Sequence, residues 1–417
     1  MSYFDQFSEL KRENNFDVVG NVAVVDADLL DHGTRHPNLA VMKMAGYLKE
    51  RGCTVHLVED YSELFENEDY SKAAAYDAIY ISKVFDFTAI DDKLIRLPNV
   101  YIGGTGFFFD QSPLLPECVE HHMPDYTIYE DFIKNDPTVK ESRKKSWYKD
   151  YLGYSIGFAT RGCFRQCEFC VNHNLKKVVF HSHISEWYDP SRRYIYLWDD
   201  NILGYPHWKD VFDELEATGR AYQFRQGMDI RLLTPEKAQI LAGSHHHGDF
   251  IFAFDHIEDA TIMEEKLTLW RKYCEKPTKL YVLCGFDGQD ENEIRGVFER
   301  IRILLKYGCY PYIMRHEWYE RSPYKGMFVQ LARWCNQPQF LKKLSFRQYC
   351  EQCQKYHKTG LSAPMRALTD FEEKFPEIAK EYFDISYLDQ PFVKDLLARR
   401  EQKRIERKLK KEEKKKS

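Results

Sequence analysis

Short runs of β-forming residues alternate with helical stretches twice along this chain, and that alternation restricts its fold more than any other feature. In the first series NVAVVDAD (residues 21–28) precedes LAVMKMAGYLKERG, whose apolar positions recur at helical spacing and whose end is marked by Gly52. TVHLVED, YDAIYIS and NVYIGGTGF follow, with further helical pieces between them, and the segment around Thr127 reads as a fifth strand. Strands alternating with helices of this length predict a parallel sheet covered on both faces, with ligands at the carboxyl ends of the strands. Residues 1–132 are therefore expected to form a doubly wound, Rossmann-like α/β domain.

Residues 133–150 are rich in Lys, Asp and Ser, lack a clear apolar period and read as a linker. A second series fills residues 151–320, with strands SIGFAT, YIYLWDD, YQFRQ, DFIFAFD, KLYVLCG and YPYIMR and helices such as WKDVFDELEATG and ENEIRGVFERIRILLKYG between them. Six βα units predict a partial (β/α)6 barrel, short of the eight that close one. Residues 321–397 read as a helical, aromatic-rich extension. Residues 398–417 read as a charged tail, with eleven basic residues against four glutamates from Arg399 onward, a solvated helix that could also touch phosphates non-specifically.

No apolar run approaches the roughly 18–20 residues of a membrane-spanning helix, and the N-terminal MSYFDQFSELKRENNF has no apolar signal core. A cytoplasmic protein without membrane contact is expected. Eleven cysteines in such a chain point to metal ligation, redox chemistry or burial rather than to disulfides.

Directly after the first strand of the second series comes TRGCFRQCEFCVNH, which spaces Cys163, Cys167 and Cys170 as C-x3-C-x2-C. Three thiolates can hold three irons of a cubane and leave the fourth open, whereas ferredoxin loops and structural zinc sites use four ligands. An open iron at the end of a barrel strand points to chemistry at the cluster. A zinc site of the three cysteines with His173 is the competing reading.

The loop and the strand ends that follow it resemble the radical S-adenosylmethionine (SAM) superfamily over residues 151–315. In that family the loop is C-x3-C-x-aromatic-C, and Phe169 fills the aromatic position that packs against adenine. The resemblance implies a [4Fe–4S] cluster on Cys163, Cys167 and Cys170, with SAM chelated to the open iron. WDDNIL is similar to the acidic turn that meets the SAM amino group, with Asp199 and Asp200 as candidates and Asn201 behind them. FRQGMDIRLL offers Arg225, Gln226 and Arg231 to ribose and carboxylate, FAFD offers Asp255, and YVLCGFDGQDE offers Gly285 and Phe286 to adenine. Each has a structural reading beside it, as helix caps, barrel-mouth ion pairs or strand ends. His245, His246 and His247 read as a solvated loop.

The first domain resembles the cobalamin-binding domain of one branch of that superfamily, with Gly103, Gly104 and Gly106 as a turn that a ligand could approach closely. The Asp-x-His-x-x-Gly signature of a lower axial ligand is missing, and His32 and His36 do not fit it. Cobalamin is thus an additional cofactor candidate beside a domain that only shapes the substrate pocket. Methylthiotransferases are excluded, because a second three-cysteine cluster would have to come from Cys53 and Cys118 alone. Cys350 and Cys353, with Cys335, Cys309 and His357 near in sequence, could hold an auxiliary metal or be buried thiols. The implied function is reductive SAM cleavage with an electron donor such as flavodoxin or ferredoxin. It would start radical modification of a substrate that is a small molecule, peptide or nucleic acid. The alternatives are cobalamin-dependent methyl transfer and a non-catalytic iron–sulfur or zinc scaffold.

Overall fold

The run Asn21–Asp26 forms strand β1, and every residue after Asn21 is buried. Val22 and Val24 enter one core with Tyr80, while Ala23 and Val25 enter a second with Ile79 and Ile81. A strand buried on both faces belongs inside a parallel sheet. It lies between β2 (Thr54–Leu57) and β3 (Ala78–Ser82), and β4 (Val100–Gly103) completes the order β2–β1–β3–β4. All three pairings are parallel, with Val22 opposite Val55 and Ala78, and Ile79 opposite Val100. The chain leaves β1 toward one side and returns to β3 on the other, which makes the carboxyl ends of β1 and β3 a topological switch point. The computed structural model describes residues 3–13, 15–172 and 175–416, with side chains for 4–13, 15–172 and 175–406.

One face of this sheet is covered as expected by the helix Leu39–Glu50, capped by the Asn38 side chain on the Val41 amide and burying Val41, Met42, Ala45 and Leu48. Among the described residues the other face is not covered by long helices. Phe7 and Leu10 of an N-terminal 3-10 turn pack there with Leu64, Ala73, Leu94 and Phe107, and the connections carry only the short turns Tyr61–Glu63, Ala73–Ala75 and Leu94–Arg96. Their apolar residues are too few to build a helical stripe. The fifth strand expected near Thr127 is a turn instead, because the Asp125 carboxylate accepts from both the Thr127 amide and hydroxyl. Residues 133–150, expected as a linker, are mostly helical. Glu130–Asn135, Glu141–Trp147 and Lys149–Gly153 form helices whose Ile133, Tyr148 and Tyr151 join the first core.

The chain divides into two units, Met1–Tyr222 and Gln223–Ser417, so the start of the second strand series belongs with the first sheet. β5 (Tyr154–Gly157) pairs in parallel with β8 (Tyr194–Leu197), Tyr154 opposite Tyr194. Between them β6 (Thr160–Arg161) and β7 (Val179–Phe180) form a short antiparallel ribbon around the cysteine loop. β9 (Ala221–Phe224) is the third strand of the β5–β8 sheet and contains the division between the units.

In the second unit β10 (Phe250–Ala253), β11 (Thr278–Cys284) and β12 (Tyr310–Arg315) form a parallel sheet in that order. All six strands read from the second series are thus present. The helix Glu291–Lys306 starts where Asp290 caps two amides, and Lys325–Cys335, Phe346–Lys355 and Ala363–Lys374 supply the helical extension. The charged tail belongs to a longer helix, Pro391–Lys416, whose first turns bury Val393 and Leu396. Among the described residues no helix is long and apolar enough to cross a membrane.

Candidate functional site

The cysteine loop is held at its base by the two carboxylates that follow β8, Asp199 and Asp200. Asp199, 3% exposed, accepts from the Ala159 amide and from the amide and hydroxyl of Thr160. Burial pushes its carboxyl up to about 6, against the lowering effect of those bonds. Asp200 accepts from the Gly162 amide at 2.7 Å and from Asn172 Nδ2 at 2.6 Å, joining the residue before the first cysteine to a residue after the last. Gly162 has φ +89°, and a Cβ there would overlap the Lys177 carbonyl and Leu175, so only glycine fits this close crossing. Both acidic residues expected to meet SAM are therefore fixed on the loop, and their observed bonds are those of positioning groups.

The three cysteines are half-buried, and backbone and side-chain N–H groups face two of their sulfurs. The Arg165 amide donates to Cys163 Sγ at 3.4 Å, the Asn172 amide to Cys170 Sγ at 3.4 Å, and Asn201 Nδ2 to Cys163 Sγ at 3.5 Å. Asn201 is 2% exposed, and its Oδ1 has no hydrogen-bond partner among the described residues. Donors aimed at sulfur stabilise thiolate over thiol, so this donor set fits an iron–sulfur cluster. Among the described residues no three His, Cys, Asp or Glu groups converge on a point that one metal ion could occupy. A cubane does not need that convergence, since each thiolate binds a different iron. His173, the fourth ligand of the zinc reading, lies outside the described residues. Phe169 sits half-buried between the second and third cysteines.

In the second unit the expected ligands are drawn into local bonds. Arg231 pairs with Asp229 at 2.7 Å and with Asp259 at 2.5 Å. Asp255 accepts from the Leu283 amide, and burial pushes its carboxyl up. Arg225 Nη1 reaches Gln223 Oε1 at 3.4 Å, and Gln226 is exposed. Gly285 has φ +75°, and a Cβ there would overlap Tyr319, so its glycine is required by this chain's own packing. Glu293 accepts from the Gly285, Phe286 and Gln289 amides, and the Phe286 ring stacks on Trp318 at 5.1 Å. His246, expected in a solvated loop, stacks on Phe250 at 3.9 Å, and burial lowers its pKa to about 3. Cys335 and Cys350 are buried, with thiol pKa values raised by that burial, which is the packing reading of those cysteines.

Sequence reasoning missed a cavity of about 250 Å³ in the first unit. It lies at the carboxyl ends of β3 and β4 beside Ser82 and Gly103, and its wall is completed by Lys43, Glu120, Phe158 and Arg161. Lys43 Nζ donates to Glu120 at 2.8 Å, and His181 Nε2 lies 3.1 Å from the same oxygen. Burial alone would raise the Glu120 carboxyl, but His181 and Lys43 outweigh it and hold it down to about 2. One signal was available: Lys43 interrupts the apolar stripe of LAVMKMAGYL, and a charge inside such a stripe marks a special environment. Of the expected glycine turn, Gly103 lines the cavity with room beside it, its would-be Cβ meeting only Ser112 Oγ at 4.0 Å. Gly104 and Gly106 instead pass against Lys83 and Phe85, where a Cβ would overlap.

No family model and no curated protein matches this chain. It is similar in structure to the radical SAM methyltransferase TsrM from Kitasatospora setae, solved with cobalamin and a [4Fe–4S] cluster bound. That likeness has 13% identity over 72% of this chain and 75% of the other, with a TM-score of 0.47. TsrM with its tryptophan substrate and the SAM analogue aza-SAM gives 13% identity over 70% and 72%, with a TM-score of 0.46. The cobalamin-dependent SAM radical enzyme OxsB, with aqua-cobalamin and SAM bound, gives 11% over 88% of this chain and 57% of the other, with a TM-score of 0.34.

Proposed function

We propose that this protein is a radical SAM enzyme in which Cys163, Cys167 and Cys170 hold a [4Fe–4S] cluster. The observation that carries the reading is the loop itself: C-x3-C-x2-C with Phe169 in place, N–H donors on the Cys163 and Cys170 sulfurs, and Asp200 fastening both ends. When bound, the reduced cluster supplies an electron to the SAM sulfonium, which releases methionine and a 5′-deoxyadenosyl radical able to abstract hydrogen from carbon. The chain's part is to hold three thiolates in one orientation and leave one iron open. Asp199 and Asp200 fix the loop on β8, and Phe169 offers an apolar face for adenine. Arg225, Gln226, Arg231, Asp255, Gly285 and Phe286 are further SAM-contact candidates, as the superfamily resemblance implies. A one-electron donor such as flavodoxin or ferredoxin must supply the electron, and the substrate class stays open among small molecules, peptides and nucleic acids.

Cobalamin-dependent methyl transfer is the second reading, supported by the cavity's place at the strand ends of a doubly wound sheet. To take a corrinoid the cavity would have to open well beyond 250 Å³. Iron and cobalt quantification separates the readings. Anaerobically purified protein should hold about four irons per chain, and Cys163→Ala, Cys167→Ala and Cys170→Ala combined should remove them. Reconstitution with hydroxocobalamin followed by desalting then counts cobalt. A protein that holds only zinc, or a triple variant with full iron, overturns the cluster assignment.

A further inference from the structure

The cavity beside Gly103 has a chemical bias of its own. Besides the phenols of Tyr80, which donates to the Asn15 carbonyl, and Tyr101, four side-chain groups on its wall can donate: Lys43, Arg161, Ser82 and Ser112. Ser82 Oγ already accepts from Asn38 Nδ2, and Ser112 Oγ from the Gly104 amide, so each hydroxyl keeps its hydrogen for a ligand. The carboxylate on the wall, Glu120, already receives Lys43 and His181. Arg161 has no carboxylate partner among the described residues. Its guanidinium lies 3.9 Å from the centre of the Phe158 ring, and that stacking fixes the plane in which its N–H fork points. The wall therefore has two cations, one anion already bonded twice, and a surplus of donors. The rest is apolar or aromatic, with Leu39, Met44, Leu114, Leu115 and the rings of Tyr80 and Tyr101.

We propose that this cavity is a binding site for a small organic acid, with its carboxylate on Arg161 and Lys43 and its apolar body against the Tyr80 and Tyr101 side. A planar guanidinium held on a ring matches a carboxylate through two parallel N–H bonds. The volume of about 250 Å³ falls below the roughly 300–1,000 Å³ of pockets for drug-sized ligands, so the acid is smaller than those. None of the groups that line the cavity is a cysteine, although Arg161 precedes Cys163 by two residues in the same unit, so iron content is followed alongside binding.

The test is calorimetric titration of the anaerobically purified protein with 3-phenylpropionate and with its uncharged counterpart 3-phenylpropanol. The acid should bind at least about tenfold more tightly, as expected for hydrogen bonds to a charged group. Arg161→Gln should remove that preference while iron content stays unchanged, and Gly103→Val should fill the cavity and abolish binding of both probes. Equal affinities, a preference that survives Arg161→Gln, or no saturable binding in the millimolar range would overturn the proposal. So would stoichiometric uptake of hydroxocobalamin that Gly103→Val abolishes, because the cavity would then be a corrinoid site. Loss of iron in the wild type would count against the cluster assignment and leave this result standing.

Discussion

The Gly162 amide donates to the Asp200 carboxylate at 2.7 Å, and the other oxygen of that carboxylate accepts from Asn172 Nδ2 at 2.6 Å. One side chain at the end of β8 thus closes the loop that carries all three cysteines. Hydrogen bonds to a charged group contribute about 1.5–3 kcal/mol each, so losing both frees the loop ends. Asp200→Ala should lower iron content and hasten bleaching of the cluster in air several-fold, with Asp200→Asn intermediate because it keeps one acceptor. Iron assay and absorbance decay check this, and an Asp200→Ala protein with wild-type iron and decay would show that the clamp is dispensable.

The glycine turn after β4 separates into two kinds of residue. Gly104, at φ +106°, would drive a Cβ into the Lys83 backbone, whereas Gly103 faces the cavity with open space. Gly104→Val should abolish soluble protein or lower Tm sharply, and Gly103→Val should fold with Tm near that of the wild type. Thermal unfolding of both decides it, and similar behaviour of the two variants would contradict the assignment.

Burial of Asp26 at the end of β1 pushes its carboxyl up to about 7, although the Tyr129 hydroxyl and the Leu29 amide both donate to it. A carboxyl with a raised folded pKa contributes stability that is complete below its unfolded value of about 4 and is lost as pH rises through about 7. The loss is at most about 4 kcal/mol for a shift of about three units. Wild-type Tm should therefore fall between pH 5 and pH 8 relative to Asp26→Asn, which keeps an acceptor for the helix cap. Parallel pH profiles for the two proteins would refute the assignment.

The strand order along the chain and the cysteine loop were legible because each is local: β1 shows its burial in NVAVVD, and the thiol spacing needs no partner. What each acidic strand end bonds to was not legible. Asp199, Asp200 and Arg231 sit where ligands were expected, but their partners Thr160, Asn172 and Asp259 lie 28–39 residues away and carry no pattern that names them. Residues 133–150 passed for a linker because Ile133, Tyr148 and Tyr151 are spaced too unevenly to show an apolar stripe. The cavity depends on Lys43, Glu120 and Arg161, which only the folded sheet brings together.

Asn201 Nδ2 donates to Cys163 Sγ at 3.5 Å. Hydrogen bonds to cluster sulfurs favour the reduced state, so Asn201→Ala should lower the reduction potential with iron content retained. A redox titration followed by electron paramagnetic resonance reads this directly, and an unchanged midpoint would remove Asn201 from the cluster environment.

Reductive cleavage of SAM tests the central claim most directly. With dithionite and SAM under anaerobic conditions, the wild type should form 5′-deoxyadenosine and methionine, or S-adenosylhomocysteine if it transfers methyl groups. The protein with Cys163→Ala, Cys167→Ala and Cys170→Ala combined should form none of them. Products from the triple variant at the wild-type rate, or none from a wild type carrying a full cluster, would contradict the account, and the second result would leave an iron–sulfur scaffold in its place.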